Sequence, residues 1–161
     1  MMLIRALKFR PALISEAAEI FDLHVASVRS LCAKAYPRNT IDSWFSDRDA
    51  SFYLRSIKKG AVYVAELRRS IAGFIEVNPG EITNIFVRPE LSKKGVGSFL
   101  LQNGLDILNR GKRCEILIEA TLNAVPFYCK KGFRETGRGE WVSPTGAVKI
   151  PIVCMKLDRH P

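Results

Sequence analysis

The chain has 161 residues, 47% apolar and 25% charged, an ordinary globular composition whose length fits one domain over residues 1–161 with a real core. Its 25 basic and 16 acidic residues give a net charge of +9, which favours polyanions, but the excess is scattered (Arg68-Arg69, Lys93-Lys94, Arg110 to Arg113, Lys130-Lys131) and no basic helix or helix-turn-helix pattern accompanies it, which argues against nucleic acid as a partner. No apolar run reaches the roughly 18 residues of a membrane helix, residues 1–8 are too broken by charge for a secretory leader, and Cys32, Cys114, Cys129 and Cys154 with His24 and His160 show no zinc spacing; the expectation is a cytoplasmic, metal-free protein with reduced, mostly buried thiols.

In chain order, residues 3–9 read as a short apolar strand that Pro11 breaks. A helical stripe follows over residues 12–31, carried by Ala17, Phe21, Val25, Val28 and Leu31. Ser15 is its expected N-cap, and Glu16 and Glu19 suit the positive end of the helix dipole. His24 lies beside this stripe and reads as a core or rim histidine rather than a base. Tyr36-Pro37-Arg38 ends the helix, and Asn39 or Thr40 caps a short second one reaching Phe45. Tyr36, Trp44, Phe45, Phe52 and Tyr53 concentrate aromatic area in this stretch, either as packing or as the floor of a binding pocket.

Residues 61–67 and 71–77 predict two strands joined by a hairpin-length connection, with the next turn at Asn78-Pro79-Gly80. Residues 81–88 predict a third strand, stopped by Pro89. Apolar residues then recur as a helix face over residues 96–109, ended by Gly111 at C′ with Arg110 beside it. Between strand and helix lies Ser92-Lys93-Lys94-Gly95-Val96-Gly97-Ser98. Glycines there let the backbone turn tightly and approach a ligand, and the uncapped amides of the first helical turn point outward beside two lysines. This is either an anion site or a plain tight turn. It matches neither the dinucleotide fingerprint, whose third glycine falls on Leu100, nor the mononucleotide loop, since Ser98 and Phe99 follow Gly97.

Residues 114–120 predict the next strand, a parallel neighbour of the third because a helix crosses between them. A short helix over residues 124–131 ends at Gly132, and residues 133–142 and 147–157 form a last hairpin. Pro151 within it suggests a sheet edge or a bulge, and an exposed last strand is a candidate for pairing two chains into a homodimer. Residues 159–161 should fray. The expected class is mixed α/β: a mostly antiparallel sheet with a central parallel strand pair, flanked by helices.

Val87-Arg88-Pro89 followed by Gly95-Val96-Gly97 resembles the acetyl-CoA loop of the GNAT acetyltransferase superfamily. Downstream, Leu122-Asn123-Ala124-Val125-Pro126-Phe127-Tyr128-Cys129-Lys130-Lys131-Gly132-Phe133 is similar to the family's second signature. The tail, through Gly137-Arg138-Gly139-Glu140 and residues 150–157, is similar to small bacterial members of unassigned substrate. The resemblance implies acetyl-CoA as acetyl donor, held by Ile85, Phe86, Val87, Ser92, Lys93, Lys94, Gly95, Val96, Gly97, Ser98, Asn123, Phe127, Tyr128 and Lys130. The family usually has Gln or Arg where Ser92 stands, which leaves Lys93 or Lys94 to carry that contact.

Acetyl transfer to an amine needs a proton acceptor for the amine, donors for the tetrahedral oxyanion and a proton for the departing thiolate. By resemblance Tyr128 is the acid, a phenol protonated at neutral pH with a pKa near ~10, and the amides around Phe86 and Val87 are the oxyanion donors. Glu119, a carboxylate inside an apolar strand, is the first candidate base, Glu81 its rival, and a water chain the third option. Tyr36 and Trp44 are candidate substrate contacts, because the family's first helical hairpin borders the acceptor. Cys129 has no visible His or Asp partner and reads as structural. The expected function is acetyl-CoA-dependent N-acetylation of a primary amine on a small molecule or protein; the alternative is a non-catalytic module of the same fold that binds CoA or a partner.

Overall fold

Seven strands, β1 (Leu7–Pro11), β2 (Val62–Leu67), β3 (Ser70–Asn78), β4 (Glu81–Val87), β5 (Glu115–Thr121), β6 (Arg134–Val142) and β7 (Lys149–Asp158), form one sheet in the order β1-β2-β3-β4-β5-β7-β6. The computed structural model describes residues 2–110 and 115–158. The expected helix stop at Gly111, the basic residues Lys112 and Arg113, the strand start and thiol at Cys114, and fraying at residues 159–161 lie outside the described residues. Every neighbouring pair is antiparallel except β4 with β5, so the sheet is mixed as expected. Six helices accompany it among the described residues: α1 (Met2–Arg5), α2 (Ala17–Leu31), α3 (Arg38–Ser43), α4 (Leu54–Lys58), α5 (Val96–Leu108) and α6 (Val125–Lys130). None is long and apolar enough to cross a membrane.

Alternation along β3 separates two cores. Ile75 and Val77 join Leu100 and Leu101 of α5 on one face, while Phe74 joins Ile20 and Leu23 of α2 on the other. A third cluster lies under the second half of the sheet, where Val28, Tyr36 and Trp44 meet Ile150 and Ile152.

Several sequence expectations are corrected. Residues 3–9 are not one strand: Met2–Arg5 form a helical turn and the strand starts at Leu7. The first long helix starts at Ala17, after a 3-10 turn at Ile14–Glu16. Ser15 does not cap it. The Glu16 carboxylate accepts from Leu13 N at 2.7 Å and is gripped by Arg10 at 2.6 Å, which holds its pKa below the ordinary range. The second helix starts at Arg38 after Pro37 and ends at Ser43, with no side-chain cap. The two-residue β2–β3 turn puts Arg68 and Arg69 at φ of 49° and 68°, the left-handed pair that the hairpin twist demands. Pro151 is at no sheet edge. It pairs with Glu140 of β6, and β5 ends at Thr121 opposite Ile152, so no ladder partner is lost on the other side. The edges are β1 and β6, and the last strand β7 is interior, so it does not offer the exposed edge expected for chain pairing.

The feature that positions the site is the shortness of the parallel ladder. β4 and β5 pair only at Glu81 with Leu117 and Ile82 with Ile118. Directly after, Thr83 is an extra residue on β4, since Ile82 faces Val77 and Asn84 faces Glu76. The bulge bends β4 away, and beyond Ile82 the two strands part.

His24 of α2 is buried at 3% exposure, its Nδ1 2.6 Å from the Tyr53 hydroxyl. Burial, and secondarily the Arg48 charge, hold its pKa well below 6.5. The unfolded chain therefore binds a proton near pH 6.5 that the folded chain refuses, and stability falls as pH drops below that value, by at most about 1.36 kcal/mol per unit. Urea unfolding at pH 7.5 and 5.5 should show a steeper loss for the wild type than for His24→Gln; equal losses would mean that the folded imidazole takes up the proton.

Candidate active site

Two cavities open where β4 and β5 part. The larger, about 510 Å³, runs from the loop before α5 to α6. Gly95 is the N-cap of α5 with φ of 91°, and no side chain caps the helix, so its first amides have no partner of that kind. A Cβ on Gly95 would stand 2.6 Å from Ile4 Cδ1, whereas one on Gly97 would meet Phe127 at an ordinary 3.6 Å. Its lining comprises Ser92, Lys93, Gly95, Gly97 and Ser98 of the loop and the start of α5, Ile85, Phe86 and Val87 of β4, and Asn123, Phe127 and Tyr128 of the turn before α6 and of α6 itself. Three expected cofactor residues do not line it. Val96 is 1% exposed and its side chain belongs to the core, while Lys94 and Lys130 stand exposed outside the lining. Ser27 and Leu31 of α2 and Cys32 just after it also line the wall and were not singled out from sequence as site residues. Burial pushes the Cys32 thiol up to about 12, so it stays protonated. Cys129, expected among the buried thiols, is exposed.

The smaller cavity, about 290 Å³, shares Ile85, Phe86, Thr121 and Tyr128 with the first. Tyr128 is thus the side chain common to both that carries a titratable hydroxyl near the parted strands. It is 4% exposed, packed edge-on to Phe127 and Phe133, and burial raises its pKa, which keeps the phenol neutral. Along β5 the buried and exposed residues alternate, so Glu119 is on the same strand face as Thr121. Glu119 lines the smaller cavity, keeps solvent contact, and has its pKa raised by partial burial and then by the Glu81 carboxylate. Glu81 lines neither cavity.

Of the two aromatic candidates, only Trp44 lines the smaller cavity. Tyr36 stands behind the wall. Its hydroxyl donates to Pro151 O at 2.7 Å and accepts from Leu122 N at 2.9 Å, tying β7 to the turn that follows β5.

The cavity also holds charged groups that sequence reasoning missed. Glu76 on β3 is 7% exposed, its two carboxylate oxygens taken by Ser56 Oγ at 2.5 Å and Asn84 Nδ2 at 2.8 Å. Its signal, a lone carboxylate in the run Ile75-Glu76-Val77, is the same one that singles out Glu119. Arg48 had no signal. Its side chain is 4% exposed and its guanidinium lies 4.4 Å from the Trp141 ring centre and 5.2 Å from those of Phe45 and Phe52. His24 lines the same cavity, with Nε2 buried and without a hydrogen bond among the described residues. Chemically, the larger cavity offers uncapped amides and Lys93 to an anion at one end. The smaller offers carboxylates for a cationic or amine ligand, and the two meet where the β5-facing backbone of residues 84–87 has no ladder partner.

Comparison with known proteins agrees with this geometry. The family model described as an acetyltransferase (GNAT) domain matches residues 32–157. The uncharacterized N-acetyltransferase YafP of Escherichia coli K12 is 26% identical over 144 residues, 86% of this chain and 90% of its own. Among solved structures, a GCN5-related N-acetyltransferase from Rhodopseudomonas palustris superposes with a TM-score of 0.80 at 22% identity, over 95% of this chain and 96% of that one. The PaiA N-acetyltransferase of Thermoplasma acidophilum, solved in complex with coenzyme A, does so with 0.76 at 19% identity, over 94% and 98%. With a family match spanning most of its length and the parted-strand sheet in place, this chain belongs to the GNAT acetyltransferase family.

Proposed function

We propose that the protein is an acetyl-CoA-dependent N-acetyltransferase that passes the acetyl group directly to a primary amine. The observation that carries this reading is the meeting of two cavities at Tyr128, one fitted to a phosphate-bearing donor and the other to an amine. The coenzyme A complex of the PaiA structure supports the donor assignment. The uncapped amides of α5, with Lys93, hold the pyrophosphate. Asn123 and the β5-facing backbone of β4 hold the pantetheine arm. Glu119, whose raised pKa suits a base, takes the amine proton directly or through water, with Glu81 raising it further. As the N–C bond forms, the oxyanion rests on amides near Phe86 and Val87. As the C–S bond breaks, the neutral Tyr128 phenol donates to the departing sulfur.

Donor binding is testable first. Acetyl-CoA at 100 times its Kd should add about 2.7 kcal/mol to stability, read as a rise in Tm. Gly97→Asp should abolish the rise while leaving the fold, because its Cβ meets only an ordinary contact at 3.6 Å. Gly95 is the wrong probe, since its φ of 91° and the Ile4 contact strain any substitution. A rise that survives Gly97→Asp would move the pyrophosphate off the loop. Binding without acetylation of any amine would favour the non-catalytic module.

The chemistry is tested by pH profiles. Tyr128→Phe should lower kcat about 10²-fold with little change in the KM for acetyl-CoA. Glu119→Gln should lower kcat/KM and remove its acid limb, which the raised pKa places above the ordinary carboxylate value of 4.5. Unchanged turnover in the first variant would strip Tyr128 of the acid role, and an unchanged limb in the second would hand the base to water or Glu81.

A further inference from the structure

We infer that the acceptor carries a carboxylate besides its amine, and that Arg48 binds that carboxylate at the end of the smaller cavity away from the donor. The inference rests on the acetyltransferase reading of the same site.

Arg48 is a buried cation with an incomplete set of partners. Nη2 donates to Trp44 O. Nε lies 3.4 Å from Asp47 Oδ1, yet neither atom makes a hydrogen bond, and Nη1 has none among the described residues. Asp47 turns its other oxygen to Thr145. A guanidinium carries five N–H donors in a planar fork, and a buried one with donors unused matches a planar acceptor that brings two oxygens. The rings of Phe45, Phe52 and Trp141 fix the plane of that fork.

The placement of charge then orders the ligand. Arg48 itself, with Phe52 and Trp141 of the rings around it, lines the smaller cavity and not the larger one, so Arg48 is at the unshared end. Glu119 shares a strand face with Thr121, which lines both cavities, so the carboxylate proposed as base is at the shared end. A ligand with its amine by Glu119 and Tyr128 and a carboxylate by Arg48 meets these two charges with the right sign; of the other charged groups lining the cavity, Glu76 has its oxygens taken by Ser56 and Asn84, and Arg55 is exposed. The volume of about 290 Å³ is at the small end of the range for small-molecule sites, which points to an amino acid, a dipeptide or an ω-amino acid with an apolar body. A buried, ring-boxed arginine has no such role toward a lysine on a protein surface.

The test compares each acid with its own amide: phenylalanine with phenylalaninamide, glycylphenylalanine with its amide, and 6-aminohexanoate with 6-aminohexanamide. Thiol release from acetyl-CoA reads the rate. At least one acid should exceed its amide tenfold or more in kcat/KM, even though an α-amino amide has the less basic amine and so more free base at neutral pH. In Arg48→Gln the acid-to-amide ratio should collapse toward one, with the acetyl-CoA melting shift reporting that the variant is folded. Amides that match or beat their acids in every pair would overturn the inference, as would a ratio that survives the substitution. A residue that merely props the wall would slow acid and amide alike and leave the ratio standing. Should no amine be acetylated, the enzyme reading fails separately. Calorimetric binding of N-acetylphenylalanine against N-acetylphenylalaninamide, with CoA present, then decides this one: preference for the acid by tenfold or more sustains it, and equal binding ends it.

Discussion

Everything at the site depends on a ladder that stops early. A parallel pair in a sheet ordinarily continues until one strand ends, because each buried amide and carbonyl needs a partner. Here β4 and β5 share two residue pairs and then part at the Thr83 bulge. The parting is held by contacts on both sides. β4 resumes its antiparallel pairing with β3 after the bulge and keeps it through Val87, so the bend does not loosen it. β5 keeps β7 through Thr121, and just past that point the Tyr36 hydroxyl continues the tie to β7 by bonding Leu122 N and Pro151 O at once. Burial raises the Tyr36 hydroxyl to about 12, so it serves as donor and acceptor together without ionising.

Burial also sets the protonation states that the proposed reaction needs. Tyr128 and Tyr36 are kept neutral, as is the Cys32 thiol on the donor cavity wall. His24 is kept neutral by its apolar surroundings, with the Phe86 ring centre 3.9 Å away. Glu119 moves in the direction that makes a carboxylate a better base. The scattered net charge of +9 is a separate matter: it favours anions in general, but only Lys93 of its paired lysines lines the larger cavity.

The cavity proposed for the donor is lined by residues whose local geometry was legible in the sequence. A strand stopped by Pro89, two glycines and an apolar helix stripe lie within one run of chain, and local chemistry fixes their geometry. The same holds for Asn123 and Tyr128 on one short turn and helix. The smaller cavity, proposed for the acceptor, was not legible, because its members come together only through the tertiary fold. Arg48 meets Trp141 across most of the chain, and no spacing announces that. Tyr36 and Trp44 look alike in sequence, yet they pack edge to face with ring centres 5.0 Å apart, one facing the cavity and the other spent on backbone bonds behind it. At the N-terminus, the brief apolar run before Phe9 fitted a strand as well as a helical turn, and periodicity cannot separate the two over so few residues.

Arg48 shows how the acceptor wall and the acceptor itself are joined. Stripping a guanidinium of water is costly, and here burial does lower its pKa while Asp47 offsets only part of that. The three rings contribute on the order of 0.5 to 2 kcal/mol each where they are desolvated. The Asp47–Thr145 contact and the Arg48 guanidinium over the Trp141 ring fasten residues 44–48 to the β6–β7 hairpin, so the same side chain builds the wall and faces the cavity. A fold that needed only a prop could place an apolar side chain there, at no desolvation cost and with better packing. A cation kept at such a position, with donors unused, is explained by what enters the cavity rather than by what surrounds it.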